Sequence, residues 1–373
     1  MVLYNTSCLD ITATHTPDPW VTYSLHTRHF YLTHTANDRI PLWHAPSLMD
    51  LYANYTRGPV FLARSQGPQS ERLWAPELHA VRGRWYIYFA AADQAAGNRS
   101  HRMYVLGGPA ATADPHAGPW ELLGPIRGMD QGQWAIDGTV FEIGGVLYFC
   151  YSGWPRQEGS PSGWEERSEG VQQLFLLRMR DAVTAGSEAV MISHPSEGWE
   201  RLGEKGAAIN EGPQWLESPS GHWKGLVFSC SASWTKQYKM ATLQYLGGEP
   251  LSPSSWVKSD RPLLRNREDG RGPYGPGHGC FLHAGGETVA LFHATDRETD
   301  GNQNRRCRMQ RLRWTPTGPD MGGYVGAYTK DVDVFLQEGK EARRSGHAQE
   351  EGMQEAGALR NLIHALKGEK GSR

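Results

Sequence analysis

Five segments of this chain repeat one pattern, a short run in which aromatic and aliphatic residues alternate with smaller or polar ones. They occupy residues 28–35, 83–91, 145–154, 222–232 and 287–295. With Tyr31, Tyr86, Tyr148, Leu226 and Leu291 as comparable points, the spacings are 55, 62, 78 and 65 residues. Alternation with a period of two puts every second side chain on one face of a strand. Each interval has room for four antiparallel strands with their turns, which is the unit of a propeller blade. The repeats therefore predict an all-β fold, a five-bladed β-propeller formed as a single domain by residues 1–328. Composition agrees, because 44 Gly and 23 Pro supply turns while 14 Trp and 15 Tyr suit pleated, half-buried surfaces. Residues 329–373 read as a polar tail rich in Glu, Lys, Gln and Gly, with amphipathic helical spacing at 353–367. A polar insert at 155–170 interrupts the third repeat and predicts a long surface loop.

Bulk properties exclude several classes of function. A formal charge of −2 offers no positive field for a polyanion, so nucleic acid is not an expected partner. No run of eighteen apolar residues predicts a membrane-spanning helix, and the first residues lack the basic and apolar regions of a signal peptide. As written, the chain is expected in the cytoplasm, with export if the start is incomplete. The five cysteines, Cys8, Cys150, Cys230, Cys280 and Cys307, are dispersed without zinc-like spacing and predict buried free thiols. There is no HExxH pair, no P-loop and no G-x-S-x-G around Ser152.

Each repeat is preceded by an ionisable residue beside Pro or Gly: Asp18, Glu77, Asp137, Glu211 and His278. They stand 13, 9, 11, 15 and 13 residues before the reference points. Polar residues at a similar phase of every blade converge on the propeller axis, where Gly and Pro let the backbone bend closely. Carboxyl groups around a water-accessible funnel point to glycoside hydrolysis, which needs one acid to protonate the leaving oxygen and one carboxylate to activate water. Asp18 suits the base, Glu211 the acid, and Asp137 a neighbour that raises the acid's pKa by repulsion. Glu77 is either a fourth member of the group or a structural corner. The basic strand 305–314 is expected to turn its arginines inward onto funnel carboxylates.

The ordered motifs resemble glycoside hydrolase family 43, and within it the arabinofuranosidase-like members. The matching pieces are Asp18-Pro19-Trp20-Val21, Trp74-Ala75-Pro76-Glu77, Trp134-Ala135-Ile136-Asp137-Gly138-Thr139, Tyr151-Ser152-Gly153-Trp154, Asn210-Glu211-Gly212-Pro213, Gly275-Pro276-Gly277-His278, Phe292-His293-Ala294 and Asn304-Arg305. They run in family order from residue 18 to about residue 315. The resemblance implies hydrolysis with inversion, with Asp18 as base, Asp137 as the orienting and pKa-modulating acid, and Glu211 as proton donor. It further implies that Trp74, Trp154, Glu77 and Arg305 shape the sugar pocket, although both tryptophans suit a packed core equally well. His278 matches a funnel histidine that in many members coordinates Ca2+ or a water cluster; simple hydrogen bonding at the centre is the other reading. No cofactor is required for the chemistry. The expected partner is a plant cell-wall polysaccharide or oligosaccharide, cut to release L-arabinofuranose from arabinan or arabinoxylan. A β-xylosidase and an inactive carbohydrate-binding propeller are the alternatives. Gly279 departs from the polar residue that usually follows the funnel histidine. A WD-repeat interaction propeller would need recurring Gly-His and Trp-Asp signatures that the chain lacks.

Overall fold

The computed structural model describes residues 7–155, 170–204, 206–284 and 287–335. Four-stranded antiparallel sheets recur five times around a common axis, and each of the five repeats becomes the second strand of its blade. Blade 1 comprises Trp20–Ser24, His29–Thr33, Arg39–Ala45 and Thr56–Leu62. Blade 2 comprises Glu71–Val81, Arg84–Ala92, Arg102–Ala110 and Glu121–Pro125. Blade 3 is built on Ala135–Ile143, Val146–Gly153, Val171–Asp181 and Val190–Ser193. Blade 4 is built on Ala208–Glu217, Lys224–Cys230, Lys239–Tyr245 and Trp256–Lys258. Blade 5 takes Tyr274–Ala284, Glu287–Thr295 and Arg306–Thr315 from one part of the chain, then Cys8–Asp10 as its fourth strand. Leu9 opposite Met309 and Asp10 opposite Arg308 close the ring in antiparallel register. A short parallel pairing of Val171 with Ala208 and Gln172 with Ile209 also joins blades 3 and 4.

Apolar faces of adjacent sheets make the core. Tyr88 and Val105 of blade 2 pack with Phe149 and Leu177 of blade 3, and Cys150 and Leu176 of blade 3 with Phe228 and Leu243 of blade 4. Similar clusters lie between blades 4 and 5, 5 and 1, and 1 and 2. Each sheet thus buries both faces, so the repeats read as aromatic-rich runs rather than strict alternation. All five cysteines are buried free thiols, as their spacing predicted.

Chain beyond residue 328 joins this packing. Cys8 and Leu9 pair in parallel with Tyr328 and Thr329, and Phe335 is fully buried among blade 1 and blade 5 side chains. The expected boundary at 328 therefore falls inside a strand. The stretch at 353–367 and most of the insert at 155–170 lie outside the described residues. Among the described residues no helix is long and apolar enough to cross a membrane.

Candidate active site

The first strands of blades 2 to 5 carry the same irregularity. Register slips between Trp74 and Glu77, Ile136 and Thr139, Glu211 and Gln214, and Gly277 and Cys280. Inside each slip one residue takes a left-handed backbone: Ala75 (φ 41°), Asp137 (φ 56°), Gly212 (φ 54°) and His278 (φ 51°). Asp18, just before the first strand of blade 1, does the same at φ 52°. A bulge of this kind bends the strand and re-aims a side chain. For a residue with a Cβ the left-handed conformation costs about 1–2 kcal/mol, and it persists only where surrounding structure fixes it.

This geometry corrects the expectation that all five ionisable residues share one phase. Asp137 and His278 occupy the bulge position itself, and Asp18 shares their left-handed backbone ahead of its strand. Glu211 precedes it by one residue and Glu77 follows it by two, so Trp74, not Glu77, is the blade 2 counterpart of Glu211. Glu77 nevertheless reaches the axis, where it accepts from Gln214 of blade 4 and pairs with His79 Nε2 at 2.7 Å. Both partners hold it in a buried position, close enough to Asp137 to add to the effects that raise that carboxyl.

Asp18 sits among polar groups from blades 1 and 5. Thr35 Oγ1 donates to its Oδ2 at 2.7 Å, while His278 Nδ1 and His293 Nδ1 lie 3.4 and 3.3 Å from Oδ1, and Arg305 lies 3.9 Å from it. Burial alone would raise its pKa. The adjoining His278, together with Arg305, outweighs that and holds the carboxyl well below the usual range. His293 contributes as a neutral ring, because burial and Arg305 push it down to about 3 and its Nδ1 accepts the Asp18 N–H at 3.1 Å. Its approach to Oδ1 is therefore not an ion pair, and Arg305 and His278 are the partners that favour the Asp18 charge.

The other two carboxyls move the opposite way. Burial first, then repulsion from Glu211 and Asp18, raise Asp137 well above the carboxylate range, although Gly212 N donates to its Oδ2 at 3.1 Å. His278 Nδ1 stands 3.8 Å from the same oxygen and so touches both Asp18 and Asp137. Glu211 is raised to about 7, chiefly by burial and then by the Asp18 charge, with Tyr238, Arg305 and Gln172 opposing. Desolvation thus does more to keep Glu211 protonated than the repulsion from Asp137 read from the sequence. Tyr238 Oη is buried without a complete hydrogen bond, and burial followed by the charges of Glu211, Asp137 and Asp18 keeps it protonated. Its ring stacks on His293 at 5.5 Å and lies against Gly277, where an added Cβ would come within 2.1 Å of the ring.

The remaining predicted residues divide. Trp74 is half-buried, stacked on His101 at 4.1 Å and tied through Nε1 to Asn37 Oδ1 at 2.9 Å. Trp154 is buried in the core between blades 2 and 3 and stacked on Trp134 at 5.0 Å. Arg305 joins the cluster, its guanidinium held by Ser233 O at 2.6 Å and Asn302 Oδ1 at 2.5 Å. The rest of the basic strand does not turn inward. Arg306 and Arg308 meet Asp10 and Asp296, Arg311 meets Glu287, and Arg313 meets Asp320. That strand is the third of its blade, so its side chains are too far from the axis to reach the acids. Thr35, His293, Tyr238 and Gln172 were not singled out from the sequence. His293 was visible inside the motif Phe292-His293-Ala294, and Thr35 ends the first repeat.

A calcium ion would need six to eight oxygen ligands. His278 offers one nitrogen that already faces Asp18 and Asp137, and among the described residues no group of three or more His, Cys, Asp or Glu is arranged to hold a metal. This donor set does not fit the ion.

The family model for glycosyl hydrolases family 43 matches residues 10–319, from the ring-closing strand through blade 5. The chain belongs to glycosyl hydrolase family 43. Family 43 relatives include an extracellular exo-α-(1→5)-L-arabinofuranosidase of Streptomyces avermitilis, 30% identical over 308 residues, covering 79% of this chain and 59% of that one. The α-L-arabinofuranosidase 43 of Humicola insolens is 32% identical over 304 residues, again covering 79% and 59%. The chain thus spans about 59% of the length of these two relatives. Among solved structures, an α-L-arabinofuranosidase from Lactobacillus brevis superposes with a TM-score of 0.73 at 27% identity, covering 86% of this chain and 97% of that one.

Proposed function

We propose that this family 43 propeller is an inverting, exo-acting glycosidase that releases L-arabinofuranose from arabinan, arabinoxylan or oligosaccharides derived from them. The observation that carries the reading is the split in protonation within one buried cluster. Asp18 is held ionised by the groups around it, while Glu211 keeps its proton up to about pH 7. Two carboxyls pushed apart in pKa are the acid and base that glycoside hydrolysis requires.

In the proposed reaction Asp18 accepts a proton from a water molecule as the water oxygen bonds to the anomeric carbon. The bond from that carbon to the leaving oxygen breaks, and Glu211 donates its proton to that oxygen. Attack and departure on opposite faces invert the anomeric centre. His278, bridging Asp18 and Asp137, and Thr35, bonded to Asp18 Oδ2, fix the base in place. Arg305 favours the charged form of Asp18 and opposes loss of charge balance as Glu211 gives up its proton. No step passes through a metal. The arabinose preference is supported by the names of the relatives, and Trp74 with its stacked His101 is the aromatic surface we assign to the sugar. The test is hydrolysis of 4-nitrophenyl α-L-arabinofuranoside against 4-nitrophenyl β-D-xyloside. Turnover of the arabinoside at least tenfold above the xyloside is expected; the reverse order assigns a xylosidase, and no turnover of either removes the enzyme reading.

A further inference from the structure

Behind Glu211 lies a buried polar chain that the proposed chemistry leaves unused. Lys258 Nζ donates to both carboxylate oxygens of the fully buried Glu200, at 2.7 and 2.9 Å. Glu200 Oε1 in turn accepts from Asn210 Nδ2 at 2.7 Å, and Asn210 Oδ1 accepts from Ser193 Oγ at 2.8 Å. Asn210 immediately precedes Glu211. Ser152 Oγ lies between two acceptors, 3.0 Å from the Asn210 carbonyl and 2.8 Å from Gln172 Oε1, and its single proton goes to the nearer, Gln172 Oε1. Gln172 is in β-register with Ile209, at the parallel joint between blades 3 and 4. With its oxygen engaged by Ser152, its amide is left to interact with the Glu211 carboxyl.

We propose that Gln172 is a positioning residue for Glu211, oriented by Ser152 and braced by the buried Lys258–Glu200–Asn210 chain. This rests on the acid role given to Glu211. A buried ion pair is weak evidence for stability, since desolvation offsets its attraction. Here every member of the chain is hydrogen-bonded to the next, and the chain ends at Asn210, the residue before Glu211, an arrangement that fixes orientation. The amide donor favours the charged form of Glu211, countering burial and Asp18. The other groups around that carboxyl are Asp137 from blade 3, Tyr238 from blade 4, and Arg305 and His278 from blade 5, with Glu77 of blade 2 beyond Asp137.

The test compares Gln172→Leu and Ser152→Ala with wild type. Without the amide donor, the basic limb of kcat/KM should move to higher pH by about half a unit or more, since the charged acid loses a donor. On an unactivated arabino-oligosaccharide kcat should fall about tenfold with KM changed less than about twofold, the mark of lost orientation rather than lost binding. Independently of activity, 13C NMR of Glu-labelled protein follows the Glu211 carboxyl, assigned by its absence in Glu211→Gln. Its midpoint should rise in Gln172→Leu and, by less, in Ser152→Ala. A midpoint within about 0.2 units of wild type in both variants, even with lowered melting temperature, overturns the proposal. If wild type hydrolyses no arabinoside yet the midpoint moves, the functional reading falls and the positioning role stands. Lys258→Met should shift the midpoint as Gln172→Leu does and Lys258→Arg should restore it.

Discussion

Replacing Glu211 by glutamine should stabilise the fold, by an amount that grows with pH. The carboxyl is buried and its pKa is raised from 4.5 to about 7. Between those two values the folded protein binds a proton that the unfolded chain has already released, so stability falls as pH rises across that window. The full shift corresponds to about 3 kcal/mol, lost almost entirely by pH 8, whereas at pH 5 under about 1 kcal/mol has gone. Glutamine keeps the shape and never ionises. Allowing for a proton shared with the adjacent Asp137, the advantage of the variant should be about 2 kcal/mol greater at pH 8 than at pH 5. For a propeller of this size that difference is about 3 °C in melting temperature. Thermal unfolding of both proteins by circular dichroism at the two pH values measures it. An advantage independent of pH, or largest at pH 5, would refute the burial argument for Glu211.

Three further outcomes follow from the same geometry. Asp18→Asn removes the carboxyl that its neighbours hold ionised and should lower kcat by about 10²–10⁴-fold on activated and unactivated substrates alike, read in steady-state assays. The kcat/KM profile of wild type should fall about tenfold per pH unit above about 7 as Glu211 loses its proton, and show no acid limb above pH 4 because Asp18 stays charged. Gly277→Ala would bring a Cβ within 2.1 Å of the Tyr238 ring and should cost about 1–3 kcal/mol in urea unfolding, because a packed ring has no free space to retreat into.

The architecture was legible because each blade repeats its most hydrophobic strand, and five such strands at blade-sized spacing leave few other solutions. Asp18, Asp137 and Glu211 were legible because each stands beside the Pro or Gly that accompanies a bend. Their relative phase was not. A left-handed bulge falls on Ala75, Asp137 and His278 as well as on Gly212, and residues with a Cβ give no advance sign of it. The misplacement of Glu77 follows from that. The basic strand was misread because charge alternation shows which residues share a face and not which position the strand takes in its sheet. Trp154 could not be separated from a pocket wall, since stacking on Trp134 and stacking on a sugar use the same surface. The Lys258–Glu200–Asn210 chain joins residues 58 and 10 positions apart, a pairing that no local pattern encodes.

The claim that Asp18 and Glu211 act from opposite sides of one anomeric carbon is tested most directly by proton NMR during the first minutes of hydrolysis. From an α-L-arabinofuranoside the first sugar to appear should be the β-anomer, with the α-anomer growing in only by mutarotation. Initial release of the α-anomer would require a covalent intermediate and would contradict the assignment of Asp18 as a base.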